Sequence, residues 1–266
     1  MNMRKTLIAF SFVACLLASL SATAQPSANG RRVIDSKVIA HRGYWHTKGS
    51  AENSLTSLSL ALALNVYGSE IDVHLTKDGR VVVNHDGTRD GIELQKSTYK
   101  TCSQLKLANG EPLPLLDDML KMLKKSDSRT KLVIELKEQY SHEHEMELVD
   151  AVLKLVKRHG VADRVEYISF SYEMCKALAR KAPKAAVAFL EGHPGNKTPA
   201  EVNADGINGM DIHISTLREH PDWVDECHRL GMSMNVWTVD KMDDILEMEK
   251  LGVDYITTNN PTQTEW

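Results

Sequence analysis

The sequence predicts a (β/α)8 TIM barrel, because short β-rich segments alternate with amphipathic helical stretches along most of its 266 residues. The eight segments expected as barrel strands are 38–40, 69–75, 132–136, 165–170, 185–190, 206–212, 233–239 and 254–258. The helices predicted between them are 55–64, 117–124, 145–159, 172–180, 222–230 and 240–251. An open doubly wound sheet is the alternative arrangement of the same elements.

Within 145–159 the apolar residues keep helical spacing, at Val149, Val152, Leu153 and Val156. No internal repeat or low-complexity linker divides the chain. Without its first 24 residues, the chain has the right size for one large α/β domain with a substantial core. We therefore expect residues 25–266 to form a single domain.

A ninth β-rich run, 81–85, predicts a β-hairpin extension after the second strand. Asp78-Gly79 suits a two-residue hairpin turn, because such turns need positive φ. In that register the numbers of paired residues sum to 157, so Asp72 lies opposite His85 and shares a sheet face with Glu70. The hairpin would pass beyond the barrel rim and return His85 to the level of the carboxylates.

In a TIM barrel the reactive groups lie at the carboxyl ends of the strands. His41, Asp72, Lys137 and Trp237 all fall at or near the ends of predicted strands. The segment 86–116 has turn residues but little periodicity. We expect it to lie over the mouth of the barrel and to help set specificity.

The first 24 residues have the pattern of a secretory signal peptide. Arg4 and Lys5 form a basic start, an apolar run over 7–20 follows, and Ala22-Thr23-Ala24 has the small-x-small pattern of a cleavage site. The apolar run is too short for a membrane anchor. We therefore expect export, to a bacterial periplasm, with no stable membrane insertion after cleavage.

Charge and cysteine content exclude several classes of protein. Loss of Arg4 and Lys5 takes the formal charge from -4 to -6, and no basic block favours nucleic acid or an anionic membrane surface. The three cysteines after the signal peptide cannot all pair, so a disulfide framework is not expected. Lipid attachment at Cys15 is disfavoured, because Phe12 is unsuitable three residues before it.

Three carboxylates are the candidate metal ligands. Glu70 and Asp72 are two residues apart on a strand, so their side chains point to the same side. Two carboxylates facing into a barrel are costly unless a cation lies between them. With Glu135 from another strand they would form an oxygen site suited to Mg²⁺ or Ca²⁺. The alternative is that Glu70 and Asp72 form surface salt bridges.

His41 and His85 are the candidate acid–base pair. Imidazole has an unperturbed pKa of about 6.5, so it can accept or donate a proton at neutral pH. Phosphodiester hydrolysis needs one group that deprotonates the nucleophile and one that protonates the departing alkoxide. His142 and His144 are instead expected at the exposed start of a helix.

Positive and supporting groups complete the candidate site. Arg42 can grip two phosphate oxygens in one plane, and Lys137 offers a point charge on the same strand face as Glu135. Trp237 either stacks on a polyol or head group or packs in the core. Glu52 and Asn53 are supporting residues that follow His41 in the chain, and Asn53 is expected to orient that loop.

These residues resemble the motifs of the glycerophosphodiester phosphodiesterase family, in order and at suitable spacing from about residue 38 onward. The matching motifs are His41-Arg42-Gly43, Ala51-Glu52-Asn53-Ser54, Glu70-Ile71-Asp72, Thr76-Lys77-Asp78-Gly79, His85-Asp86, Glu135-Leu136-Lys137 and Val236-Trp237-Thr238. The departures are Ala51 for proline, Ser54 for threonine, and Asn259 for an aspartate that often follows the last strand.

The resemblance implies a barrel hydrolase that uses one divalent cation, Mg²⁺ or Ca²⁺. Its substrates would be small glycerophosphodiesters such as glycerophosphocholine and glycerophosphoethanolamine, cleaved to glycerol 3-phosphate and an alcohol. The resemblance implies that Glu70, Asp72 and Glu135 are the metal ligands. It implies that His41 and His85 are the acid–base pair and that Arg42 and Lys137 bind the phosphate.

Two other functions use the same site. A substrate hydroxyl could attack the phosphorus, which would make a cyclising, phospholipase D-like phosphodiesterase acting on lysophospholipids or phosphoinositides. The low aromatic content, 6%, is poor for a membrane-docking lipase. An exported protein that binds phosphodiesters without cleaving them would not require both His41 and His85.

Overall fold

Eight parallel strands close into a barrel in the computed structural model, which describes residues 37–262. The predicted signal peptide, residues 1–24, lies outside the described residues. The strands of the described part are β1 (Val38–Ala40), β2 (Gly68–Leu75), β3 (Val81–Val83), β4 (Thr88–Arg89), β5 (Ile92–Glu93), β6 (Lys131–Leu136), β7 (Val165–Ser169), β8 (Ala186–Glu191), β9 (Gly209–His213), β10 (Ser233–Trp237) and β11 (Tyr255–Thr258).

Helices follow the barrel strands and cover their outer side. They are α1 (Leu55–Leu64), α2 (Tyr99–Cys102), α3 (Leu116–Lys125), α4 (His142–His159), α5 (Tyr172–Lys181), α6 (Pro199–Ala204), α7 (Ile214–Glu219), α8 (Trp223–Arg229) and α9 (Met242–Leu251). Short 3-10 turns occur at Leu94–Lys96 and Ala162–Arg164. No helix within residues 37–262 has both the length and the apolar character needed to cross a bilayer.

The order of strands around the barrel is β1, β2, β6, β7, β8, β9, β10 and β11, and β11 returns to β1. All eight contacts are parallel, so the predicted (β/α)8 barrel is confirmed. Each predicted barrel strand corresponds to one observed strand. The helices α6 and α7 were not predicted, because six residues are too few to establish a helical period.

Side chains alternate between the two surfaces of the barrel wall. The outward residues of β2, Ile71 and Val73, belong to the large core between strands and helices. Inside the barrel, Ile39, Val133 and Ile168 pack together and fill the lumen below the site. The inward polar side chains follow these apolar residues along their strands and meet at the carboxyl end of the barrel.

The predicted hairpin is present, but its predicted register is wrong by one residue. Val73 pairs with Val83, and the backbone N–H of Asn84 donates to the carbonyl of Asp72 at 3.0 Å. Asn84, rather than His85, therefore faces Asp72. His85 follows β3 and lies beyond the paired residues.

The loop explains the shift. Thr76 and Arg80 pair across it, with a 2.8 Å bond from the Thr76 N–H to the Arg80 carbonyl, so the loop has three residues rather than two. The Thr76 hydroxyl donates to Asp78 Oδ1 at 2.7 Å and accepts from the Arg80 N–H at 2.9 Å. Only Gly79 has positive φ, 75°, as expected for a three-residue hairpin loop.

The segment 86–116 packs against the hairpin, and its expected place over the mouth of the barrel stays a prediction. Its apolar side chains, including Leu94 and Leu105, form a separate small core with Val82 of the hairpin and Ala51. Val82 pairs with His74, so this small core packs on the hairpin face that carries His74, whereas Val73 and Val83 on the other face belong to the large core.

Of the two histidines at the start of α4, His142 is exposed and His144 is buried. The helix begins three residues earlier than predicted, capped by Ser141, and this turn places His144 Nε2 3.1 Å from the Leu75 carbonyl. The three cysteines of the described residues are buried and unpaired, in line with the expectation that no disulfide framework is needed.

Candidate active site

Inward side chains from the carboxyl ends of the strands line one cavity at the barrel mouth. The residues that line it are His41, Arg42, Glu70, His85, Glu135, Lys137, Ile168, Phe170, Leu190, Asp211, Trp237, Thr238 and Thr257. The cavity contains most of the residues predicted for the site, although they are spread over almost 200 positions of sequence. Asp72 contacts Lys137 at its edge, and Glu52 and Asn53 lie on the loop behind Arg42.

Three carboxylates meet at one wall of this cavity. Glu70 and Asp72 both point inward from β2, and Glu135 is the register partner of Asp72 on β6. One oxygen from each lies within 4.8 Å of the others, and all three residues are buried. Oxygen ligands of this kind and number suit Mg²⁺ or Ca²⁺. The predicted ligands are thus brought together by the pairing of two neighbouring strands.

The electrostatics of the cluster also fit a cation. Burial and the charges of Asp72 and Glu135 raise the pKa of Glu70 well above its usual range. Burial and Asp72 raise the pKa of Glu135 to about 8, against the effect of Lys137. Glu70 Oε1 is buried and has no hydrogen-bond partner within residues 37–262. An unpaired buried carboxylate oxygen is costly, and a bound cation would remove that cost.

Asp72 is the carboxylate that stays ionised. Burial opposes its charge, but Lys137 and the Asn53 amide outweigh burial and lower the pKa of Asp72 to about 2. Lys137 Nζ lies 2.9 Å from Asp72 Oδ1 and 2.6 Å from Glu135 Oε1. This lysine therefore joins the two strands through their carboxylates while its charge faces the cavity.

Asn53 fixes Asp72 from the other side. Its Nδ2 donates to Asp72 Oδ2 at 2.7 Å, and its Oδ1 accepts from the Asp72 backbone N–H at 3.0 Å. Its own backbone N–H donates to the Arg42 carbonyl at 3.0 Å. Asn53 therefore ties the loop after His41 to β2, and its amide is fully committed to Asp72.

Arg42 enters the site from a tight turn after β1. Arg42 and Gly43 both have positive φ, 57° and 78°, and a Cβ at Gly43 would lie 2.4 Å from Ser57 Oγ. The turn directs the Arg42 backbone N–H to Glu70 Oε2 at 2.7 Å. The guanidinium is held by Glu52, with Nη1 2.8 Å from Glu52 Oε2. Only glycine fits the second position, which explains why His-Arg is followed by Gly.

His41 is oriented by two residues that the motifs did not identify as supporting groups. Asn259 donates to Asp240 twice, through its backbone N–H and its Nδ2, each at 2.8 Å. Because Nδ2 is committed to Asp240, the Asn259 Oδ1 faces His41 Nδ1 at 2.8 Å, and Nδ1 must carry the proton. His41 Nε2 is then left as the basic nitrogen. Burial, followed by the charge of Arg42, lowers the pKa of His41.

His85 lines the cavity despite the error in register. Its Nδ1 lies 2.7 Å from Asp86 Oδ1, and its backbone carbonyl accepts from His74 Nε2 at 3.2 Å. His74 suits this structural role, because burial lowers its pKa to about 4 and keeps the ring neutral. His74 is a further residue that sequence reasoning missed, since a histidine within a strand has no distinctive local pattern.

Trp237 forms the far wall of the cavity. Its Nε1 donates to the backbone carbonyl of Asp211 at 3.1 Å, and its ring meets Phe170 edge-on, with centroids 5.6 Å apart. The ring is therefore fixed in place against core residues and also borders the cavity, while its stacking on a substrate stays a prediction. Asp211 was not predicted, because it follows Met210 in an otherwise ordinary alternating strand.

The fold and this cavity define an enzyme-like site of the (β/α)8 class, with two histidines, two cationic side chains and a carboxylate cluster at the carboxyl end of the barrel. Arg42 and Lys137 suit an anionic substrate, and the carboxylate cluster could hold a metal ion. Such an arrangement is chemically suited to phosphoryl esters.

Comparison with known proteins defines the family. A sequence model of the glycerophosphoryl diester phosphodiesterase family matches residues 41–263, and the chain belongs to that family. A glycerophosphodiester phosphodiesterase of Caldanaerobacter subterraneus subsp. tengcongensis is 29% identical over 236 residues, which are 84% of this chain and 94% of the relative. The chain is accordingly an enzyme, a phosphoric diester hydrolase, as the resemblance of its motifs predicted.

Solved structures agree with the barrel. The crystal structure of a glycerophosphodiester phosphodiesterase from Parabacteroides distasonis has a TM-score of 0.83 and 44% identity, over 86% of this chain and 95% of that one. An Oleispira antarctica phosphodiesterase, solved in complex with the product sn-glycerol-3-phosphate, has a TM-score of 0.75 and 23% identity, over 86% and 94% of the two chains. The second likeness supports the fold alone.

The hydrogen-bonded chain from Asp240 through Asn259 to His41 leads to a specific prediction. Asn259→Ala should lower kcat on a glycerophosphodiester about tenfold to a hundredfold with a smaller change in KM, because His41 loses the acceptor that fixes its tautomer. The nitrogen-15 chemical shifts of His41 should change from one Nδ1–H tautomer to a mixture. Asn260→Ala is the matched control, since Asn260 contacts the exposed His46 instead. Equal kcat values for both variants would contradict this role.

Proposed function

We propose that this enzyme is a metal-dependent glycerophosphodiester phosphodiesterase. It hydrolyses deacylated phospholipids, such as glycerophosphocholine and glycerophosphoethanolamine, to glycerol 3-phosphate and the free alcohol. The observation that carries the proposal is the meeting of the carboxylate cluster with both histidines in a single cavity. Membership of the family and the name of the Caldanaerobacter relative, a glycerophosphodiester phosphodiesterase, support the same substrate class.

Glu70, Asp72 and Glu135 would hold one Mg²⁺ or Ca²⁺ ion. When bound, the ion would offset the negative charge of phosphate oxygens as a Lewis acid. Arg42 and Lys137 line the same cavity and would bind the remaining phosphate oxygens. Glu52 holds the Arg42 guanidinium in place, so the loop as well as the barrel wall contributes to phosphate binding.

The two histidines would divide the proton transfers. His41, with Nδ1–H committed to Asn259, offers Nε2 as the base that takes a proton from the attacking water. The water oxygen then bonds to phosphorus while the bond from phosphorus to the leaving alcohol breaks. His85, paired with Asp86, would protonate the departing alkoxide as its ester bond breaks. Trp237 would contact the organic part of the substrate.

We also propose that the enzyme is exported to a bacterial periplasm. Support comes from the signal-peptide pattern of residues 1–24 alone. Cleavage after Ala24 would leave Gln25 as the first residue of the mature chain, which N-terminal sequencing of the exported protein tests. A retained Met1 would count against this proposal.

Metal dependence is tested directly by product release. The enzyme stripped with a chelator should release no glycerol 3-phosphate from a panel of glycerophosphodiesters, and Mg²⁺ or Ca²⁺ should restore release, because the carboxylate wall repels a phosphate without a cation. Chromatography of the products distinguishes hydrolysis from cyclisation. Full activity after chelation would contradict the metal role, and a cyclic phosphate would indicate the cyclising reaction instead.

Variants separate the proton-transfer role from the metal role. His85→Ala should reduce kcat by about 10² to 10⁴-fold and leave metal affinity nearly unchanged, because His85 is outside the carboxylate cluster. Glu135→Ala should instead lose metal affinity in calorimetric titration. His142→Ala is the matched control for a histidine that is exposed and remote from the cavity. Normal turnover by His85→Ala would remove His85 from the mechanism.

A further inference from the structure

The cavity has a second half that the proton transfers and the metal site do not use. The inward residues of this half include Leu190, Asp211, Trp237 and Thr257. Strand β9, which carries Asp211, is the fourth strand from β2 in either direction around the barrel. Asp211 therefore faces the carboxylate cluster from across the barrel mouth. A substrate whose phosphate lies at the carboxylate wall would direct one of its organic groups towards Asp211.

Asp211 is a buried carboxyl group with one oxygen unpaired in the described part of the chain. Only 2% of the residue is exposed, it lines the cavity, and its Oδ1 has no hydrogen-bond partner within residues 37–262. It takes part in no ion pair in that range, unlike Asp72, which is paired with Lys137. Burial raises the pKa of Asp211 to about 7, against a smaller opposite effect of Asn235. A buried carboxyl oxygen without a partner is costly, so a ligand that pairs with Oδ1 would bind favourably.

The neighbours of Asp211 offer complementary hydrogen bonding. Asn235 Nδ2 donates to Thr257 Oγ1 at 2.8 Å, which leaves the Thr257 hydroxyl hydrogen free to donate elsewhere. Trp237 is attached to the same strand, since its Nε1 donates to the Asp211 backbone carbonyl. Its ring supplies an apolar wall beside one acceptor, Asp211, and one donor, Thr257. A chain of carbon atoms bearing hydroxyl groups has the chemistry that matches this wall.

We propose that Asp211 and Thr257, with the Trp237 ring, form a hydroxyl-binding subsite that holds the glycerol part of the substrate. The inference rests on the proposed function, because it assumes a phosphodiester bound at the carboxylate wall. It assigns the unused half of the cavity to recognition of the polyol rather than of a cationic head group. Asp211 is then a specificity residue that acts on substrate hydroxyls and takes no part in proton transfer to or from the phosphate ester.

Removing the hydroxyls from the substrate and the carboxyl from the enzyme tests the contact from both sides. Glycerophosphocholine carries the hydroxyls, ethyl phosphocholine lacks them, and choline release reports cleavage of either one. Asp211→Ala should lower kcat/KM for glycerophosphocholine about tenfold to a hundredfold, and for ethyl phosphocholine less than about threefold. Asp211→Asn, which can still hydrogen-bond to hydroxyls, should keep most of the discrimination. If Asp211→Ala does not fold, Thr257→Val should show the same selective loss.

Glu191→Gln is the matched control. Glu191 is also a buried carboxylate at a strand end, with Oε1 accepting from the Asn196 N–H, but it does not line the cavity. Its neutralisation should leave the ratio of the two substrates unchanged. Equal losses of both substrates in Asp211→Ala would overturn the subsite while leaving the proposed function intact. Failure of the unaltered enzyme to release choline from either substrate would overturn both.

Discussion

The burial of three carboxylates at the mouth of the barrel is the constraint on which the rest of the site depends. Glu70, Asp72 and Glu135 lie close together and away from water, where like charges and desolvation both oppose ionisation. The partly buried Lys137 ammonium bridges two of them. The remaining negative charge favours the approach of a further cation, so the cluster could hold a metal ion.

Residues of the surrounding loops hydrogen-bond to the carboxylates of this cluster. The turn after β1 directs a backbone N–H to Glu70, and Asn53 hydrogen-bonds to Asp72 and joins that same turn. Arg42 is therefore delivered to the cavity by the segment that stabilises the carboxylates. On the other side, Asn259 fixes the ring of His41 from the end of β11. In the proposed function, phosphate binding, metal binding and proton transfer would thus share one set of backbone positions.

Much of this was predictable because the barrel places strand ends in one layer. Residues that follow short apolar runs, such as His41 and Lys137, were identified by position and type, and the barrel brings them together. The hairpin register was not predictable, because the Thr76 hydroxyl favours a three-residue loop over the two-residue turn suggested by Asp78-Gly79. Sequence spacing alone does not encode that competition between side-chain and backbone hydrogen bonds.

The supporting residues were missed for a related reason. Asp240 and Asn259 follow neighbouring strands, β10 and β11, so their contact becomes visible only once the strand order is known. Asp211 lies in a strand with ordinary alternation of polar and apolar residues, and only its position across the mouth from β2 distinguishes it. Local sequence pattern identifies residues that belong to a motif. Residues that act through a neighbouring strand can be identified only when the fold is known.

Thermal unfolding of the chelated enzyme and of Glu70→Gln, with and without Mg²⁺ or Ca²⁺, tests the central role of the buried charge most directly. We expect the metal-free variant to be at least as stable as the metal-free native enzyme, because one unpaired carboxylate has been replaced by a neutral group that can still accept from the Arg42 N–H. At a hundred times its Kd, the ion should raise the free energy of unfolding of the native enzyme by about 2.7 kcal/mol, and its Tm should rise accordingly. The free energy of unfolding of the variant should stay almost unchanged. A destabilised metal-free variant that the ion still stabilises to the native extent would contradict this account.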